Sequence, residues 1–128
     1  LEGYWTLKAL EGEDAKDAFK GTNPGLKFDF ENNTLSGNGG CNTFGGAFTL
    51  NDTNEFSAPN LVATMKMCFQ ENKEPQFLKA LSTPDLTISL DENNILTFKQ
   101  GETILLQFAK GGESVANETT AVNAESLA

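Results

Sequence analysis

The feature that most constrains the fold is the alternation of apolar and polar side chains along short segments. Leu26, Phe28 and Phe30 alternate with charged side chains, a period of two that is typical of a strand with one buried face. Comparable segments, separated by polar turns, recur at residues 4–7, 34–36, 47–50, 61–69, 86–90, 95–98 and 104–108. Because short strands and tight turns favour antiparallel pairing, we predict a mainly β fold, a small antiparallel β-barrel-like domain of about eight short strands.

One helix is predicted before the last strands. Residues 71–75 place acidic side chains and a proline where a helix begins, and Pro84 ends it. Its apolar stripe consists of Phe77, Leu78 and Leu81. Earlier in the chain, Asp14 can cap a turn or two of helix that ends at Gly21.

The length of 128 residues is that of one domain, and ten Phe side chains favour a barrel that is filled rather than one that encloses a ligand. Large apolar side chains become scarce after Lys110. We therefore expect one domain over residues 1–110. Residues 111–128 are expected to form a flexible low-complexity tail, or a linker to a missing domain.

Composition excludes several functions. The net charge of -9 leaves no basic surface for phosphate backbones, so no nucleic-acid partner is expected. The sequence has no His, which excludes Ser-His triads and His-ligated zinc. No apolar run reaches the roughly 18 residues of a membrane span. Because the chain starts at Leu1 without Met, we expect a processed or trimmed chain whose signal peptide or lipid anchor lay upstream.

The two cysteines, Cys41 and Cys68, leave three interpretations open: a disulfide, two buried free thiols, or a metal or redox site. A bond between them would close a loop of about 28 residues and contribute about 3.6 kcal/mol on the loop-entropy model. A disulfide would indicate an oxidising compartment.

Residues 37–46 contain five of the twelve glycines and lead directly into an apolar strand. This density predicts positive φ angles, bulges or close approach of two chain segments rather than a flexible linker.

The segment Met65 to Cys68 contains soft sulfur ligands of the kind that suit copper(I). On a strand, however, Met65 and Met67 share one face, so we interpret one of its two side-chain pairs as packing and predict no metal site. The carboxylate pairs lie in turns or on solvated strand faces. No catalytic residue and no cofactor are therefore predicted.

These motifs, taken in order, resemble the META domain, the HslJ-like family. Residues 3–7 resemble the family's Gly-x-Trp-x-Leu. Residues 39–48 resemble its Gly-Gly-Cys-Asn-x-Phe-x-Gly-x-Tyr signature, with Phe at the last position. Residues 64–68 resemble its Thr-Arg/Lys-Met-x-Cys, with the basic residue and the methionine displaced to Lys66 and Met67.

The resemblance covers residues 1 to about 110 and implies a compact β-barrel-like domain with a helix. It implies an exported bacterial protein, since members are often lipoproteins, and a bond between the two cysteines. Members are linked to heat shock, envelope stress, antibiotic resistance, motility and, in a protozoan branch, virulence. It implies no catalytic activity.

We therefore expect a monomeric, non-enzymatic binding or stress-response module of the bacterial envelope. It would lie in the periplasm or at the cell surface, free or as a lipoprotein, with an envelope protein or a small ligand as partner. The alternatives are a lipocalin-like carrier of a small apolar ligand, which needs an interior cavity, and an enzyme of unknown type. The predicted partner surface consists of Asn38, Gly39, Gly40, Asn42, Thr43, Thr64 and Lys66.

Overall fold

The computed structural model describes residues 1–68 and 72–111, and within them the chain forms eleven strands and two helices. The strands are β1 (Tyr4–Leu10), β2 (Glu13–Asp14), β3 (Gly25–Asp29), β4 (Thr34–Asn38), β5 (Thr43–Ala47), β6 (Thr49–Leu50), β7 (Glu55–Ser57), β8 (Val62–Ala63), β9 (Leu86–Leu90), β10 (Ile95–Gln100) and β11 (Thr103–Lys110). The helices are α1 (Ala15–Ala18) and α2 (Glu74–Leu81).

The strands form one antiparallel sheet in the order β6-β7-β9-β10-β11-β1-β3-β4-β5-β8, and β2 pairs with β1 beside this path. β5 belongs to one end of this order and β6 to the other, yet only Phe48 separates them in sequence. The sheet must therefore curl until its two ends lie next to each other. A bulge in β1, where the register with β11 shifts between Leu7 and Ala9, adds local bending.

The predicted mainly β, barrel-like fold is confirmed, with eleven strands in place of about eight and two helices in place of one. The additional strands are β2, β5 and β7: β2 and β7 have two and three residues, too few to show alternation in the sequence, and β5 lies in the glycine-rich segment. α2 begins at Glu74 with Pro75 in its first turn, as predicted. α1 is a single turn, and Asp14 before it makes no side-chain capping hydrogen bond.

The interior of the sheet is filled by buried aromatic side chains. The ring centroid of Phe98 lies 5.1 Å from that of Phe56 and 5.5 Å from that of Phe108. The ring of Phe77, on α2, lies 5.7 Å from Phe44 and 6.2 Å from Phe108. These contacts confirm the predicted filled core. In the described part of the chain, rings occupy the space that a carrier of an apolar ligand would need.

Two local predictions are wrong. β3 ends at Asp29, so Phe30 does not point into the core with Phe28; it is 45% exposed and stacks on the Phe28 ring. Residues 64–68 form no strand, because among the described residues the last backbone hydrogen bond of this segment to β5 is the one from Thr64 to Thr43. Apart from Gly111, the predicted tail over residues 111–128 lies outside the described residues.

Candidate functional site

A disulfide joins Cys41, in the loop between β4 and β5, to Cys68, at the end of the irregular segment that follows β8. The two Cα atoms are 6.0 Å apart, an ordinary separation for this bond. This confirms one of the three interpretations of the cysteines. The disulfide therefore fastens the glycine-rich loop to the Met-Lys-Met segment.

The Glu74 carboxylate lies beneath this loop and is 7% exposed. Its Oε2 accepts hydrogen bonds from the backbone N–H of Cys41, at 3.1 Å, and of Asn42, at 2.7 Å. Its Oε1 accepts one from the Asn42 side-chain amide at 2.8 Å. Since hydrogen bonds to a charged group are the stronger kind, Glu74 anchors the loop to the first turn of α2.

The Asn42 side chain extends the same network to the segment after β8. Its Oδ1 accepts hydrogen bonds from the backbone N–H of Lys66 and from the hydroxyl of Thr64, both at 2.8 Å. Thr64 keeps one backbone bond to β5, from its N–H to the Thr43 carbonyl at 3.0 Å, and the bond from Asn42 holds the chain beyond it at Lys66. The buried Asn42 side chain thus connects the loop between β4 and β5, the segment after β8 and the start of α2.

The glycines of the loop allow these groups to approach closely. A Cβ on Gly39 would lie 2.7 Å from both Cγ and Oε2 of Glu74. Gly40 has a φ of +109°, and a Cβ there would lie 2.9 Å from the Phe19 ring. Close approach and positive φ, which the glycine density predicted, are both confirmed.

Five side chains beside the disulfide are exposed, and we call them the Met-Lys face: Thr43, Thr64, Met65, Lys66 and Met67. Met65 is 93% exposed and Met67 79%. We predicted that one of the two side-chain pairs of this segment packs, but both methionines are exposed, and of the other pair Lys66 is exposed and Cys68 half-buried. The methionines turn outward because the segment bonds to Asn42 through its backbone and is not part of the sheet.

The predicted partner surface is smaller than expected. Gly39 and Asn42 are buried beneath the Met-Lys face, because both pack against Glu74. Asn38 and Gly40 are half-buried, and the Asn38 amide donates to the Tyr4 hydroxyl at 3.1 Å. Of the seven predicted residues, the other three remain exposed: Thr43, Thr64 and Lys66.

A family model for the META domain matches residues 1–113. The chain belongs to the META-domain family. An NMR structure of a protein from Burkholderia xenovorans has a TM-score of 0.67 and 20% identity to it, over 88% of this chain and 83% of that one. A second NMR structure has a TM-score of 0.63 and 22% identity, over 84% of this chain and 88% of that one. Both similarities support the fold alone. No match is found among curated proteins.

The described part of this META domain holds one cluster of potential metal ligands. The two cysteine sulfurs and a carboxylate oxygen of Glu74 all lie within 4.8 Å of one another.

The other carboxylates whose contacts the structure shows lie at the surface, as predicted for solvated side chains. Hydrogen bonds from Asn32, in the turn after β3, lower the pKa of Asp29 at the end of that strand, and Glu13 pairs with Lys73 at the surface. Among the described residues, no helix is long and apolar enough to span a membrane.

The sequence patterns of this META domain do not mark Glu74 as a site residue. Its place immediately before Pro75 predicts only that a helix begins there with an acidic side chain. Its burial depends on a loop more than 30 residues earlier, which approaches it through Gly39. A Glu-Pro pair together with the Gly-Gly-Cys-Asn motif is the signal that could have found it.

Proposed function

We propose that this META domain is an exported, non-enzymatic module of the bacterial envelope that binds a partner protein through the Met-Lys face. The Cys41–Cys68 bond supports export, because disulfides persist in oxidising compartments and are rare in the cytosol. In this proposal the domain acts as a monomer and contributes to the stress response of the envelope.

The observation that carries the binding proposal is the exposure of Met65 and Met67 on a segment whose backbone is fixed at both ends. Asn42 holds its start and the disulfide its end. Exposed methionines adapt to irregular apolar surfaces. Lys66 stands between them on a chain with a net charge of -9. The partner we propose therefore has an apolar patch beside an acidic side chain.

The non-enzymatic part of the proposal rests on how the buried polar groups are used. Glu74 and Asn42 bind each other and the backbone of two loops, an arrangement that holds structure together. The filled aromatic core favours this role over that of a carrier, since a small apolar ligand would have to displace buried rings.

Export is tested on the native protein by cell fractionation followed by alkylation and intact-mass measurement, with and without prior reduction. We expect the protein in the envelope fraction, with Cys41 and Cys68 alkylated only after reduction. A cytosolic protein whose cysteines alkylate without reduction would contradict the proposal.

Partner binding is tested by a photo-crosslinking amino acid in place of Lys66. The control places the same group at Glu92, an exposed residue in the turn between β9 and β10. We expect one discrete adduct with an envelope protein from position 66 alone, lost when Met65 and Met67 are both changed to Ser. Equal adducts from the two positions, or none from position 66, would contradict the proposed face.

A further inference from the structure

The disulfide and the buried carboxylate beside it form a second kind of site. The two sulfurs of Cys41 and Cys68 and one Glu74 oxygen lie within 4.8 Å of one another, close enough to bind a common ion once the bond is open. We propose that the reduced form of this protein binds Zn²⁺ through the two thiolates and the Glu74 carboxylate. This site does not depend on the partner of the Met-Lys face, and it forms only where the disulfide is reduced.

The Glu74 carboxylate has a lone-pair position that can bind a metal ion. An ionised carboxylate has about four lone-pair sites. Two hydrogen bonds use Oε2, from Cys41 and Asn42, and one uses Oε1, from the Asn42 amide. Counting the described residues, one position on Oε1 remains, and a metal ion can use it without breaking the bonds that hold the loop.

The ligand positions persist when the disulfide opens. Cys41 is held through its own N–H, which bonds to Glu74, and the segment leading to Cys68 is held at Lys66 by Asn42. Neither bond involves a sulfur atom. The same Asn42 amide hydrogen-bonds Glu74, the kind of outer-shell contact that orients a ligating carboxylate. The two thiols are thus kept close together beside the carboxylate.

The donor set selects zinc. Two thiolates and a carboxylate oxygen are ligands that Zn²⁺ accepts in tetrahedral sites, whereas copper(I) prefers sulfur alone. The fourth position can be taken by water, because Cys41 and Cys68 line an open surface depression of about 450 Å³ together with Gly40 and Met67. The same depression provides a path for the ion and for a reductant.

The reaction balances with a dithiol as reductant. The disulfide accepts two electrons and two protons and becomes the thiols of Cys41 and Cys68, while the dithiol is oxidised to its own disulfide. Zn²⁺ then displaces both thiol protons into solvent. Without the ion, two thiolates beside the Glu74 carboxylate would repel it, and the divalent charge removes that repulsion.

The test uses the full chain, reduced with dithiothreitol, desalted without oxygen and titrated with Zn²⁺ against a chromophoric chelator. We expect one equivalent of zinc on the reduced protein and none on the oxidised protein. Bound zinc should also protect both cysteines from iodoacetamide. Reduced protein that keeps its near-UV circular dichroism and binds no zinc would overturn the proposal.

Variants test the carboxylate. Glu74→Gln should weaken zinc binding by at least about tenfold, since even outer-shell changes cost about 10–100-fold. Glu13→Gln, an exposed carboxylate paired with Lys73 beside α2, and Met67→Leu should bind as the wild type does. Equal affinity of Glu74→Gln and wild type would overturn the site. If Glu74→Gln does not fold, infrared difference spectra of the wild type replace it, and the absence of a zinc-induced carboxylate shift would count against the proposal in the same way.

Discussion

Substituting Asn42 by Asp tests the buried network with almost no change of shape. The substitution replaces the amide Nδ2 by an oxygen and keeps the Oδ1 that accepts from Thr64 and Lys66. It removes the donor that lies 2.8 Å from Glu74 Oε1 and puts a second carboxylate there. Both residues are only 7% exposed, so solvent screens the pair little.

The expected magnitude follows from that distance. Two unit charges 2.8 Å apart repel by about 6 kcal/mol at an effective dielectric constant of ~20. Taking up one proton at pH 7 costs only about 4 kcal/mol for a carboxyl group with a reference pKa near 4. The folded variant therefore binds one proton that the unfolded chain does not. We expect a loss of about 4 kcal/mol of unfolding free energy at pH 7.

The sign of the pH dependence follows from the same proton. Because the folded variant binds more protons than the unfolded chain, its stability relative to the wild type rises as the pH falls. The recovery should be about 1.4 kcal/mol per pH unit between pH 7 and about pH 4, where the unfolded chain also becomes protonated.

The assay is urea unfolding of the oxidised protein at pH 5, 6 and 7, followed by the fluorescence of the buried Trp5. Asn38→Asp is the matched control, since among the described residues the Asn38 amide donates to the Tyr4 hydroxyl and to no carboxylate. It should lose about 1 kcal/mol or less, without a slope in pH. A loss below about 1 kcal/mol for Asn42→Asp, or a loss independent of pH, would refute direct contact between Asn42 and Glu74.

Three further predictions concern other parts of the fold. Replacing Cys41 and Cys68, 27 residues apart, by Ser should lower the urea-derived unfolding free energy by about 3.6 kcal/mol, and an unchanged midpoint would contradict the loop-entropy estimate. Gly37→Ala puts a Cβ within van der Waals overlap of the backbone of β3, so we expect a loss of more than about 4 kcal/mol; native near-UV circular dichroism and an unchanged urea midpoint would disprove the close approach. Asn32→Ala should raise the pKa of Asp29 towards its ordinary value, because the Asn32 hydrogen bonds favour the charged form. NMR titration of the carboxyl carbon measures this, and an unmoved pKa would rule out that cause.

Local sequence patterns predict the strands and helices that are long enough to show a regular repeat of apolar side chains. β9, β10 and β11 have five, six and eight residues, and their buried side chains recur at every second position over much of their length. α2 is equally clear, since Pro75 and the spacing of Phe77 and Leu81 are local signals. β2 and β7 have two and three residues, too few to show a repeating pattern, and they are strands because they pair with β1 and with β6 and β9.

The candidate site is harder to predict because its decisive contacts are not local. The segment around Met65 has the alternation of a strand. Its Lys66 N–H, however, donates to the Asn42 side chain, and Met65 and Met67 are exposed to solvent. Glu74 lies at a helix start that the sequence indicates. It is buried because Gly39, in the loop between β4 and β5, packs against it. The cysteine pairing could be inferred from the family resemblance.

The position of β1 has a consequence for how the domain is made. β1 pairs with β11 on one side and β3 on the other, so β1 needs as a neighbour a strand that is synthesised about 100 residues later. Such pairing between the two ends of a chain gives a high contact order and slow folding. With synthesis at about 5–20 residues per second, the nascent chain remains without its central strand pair for several seconds. During that interval β1 lacks the neighbour that its second edge has in the folded domain.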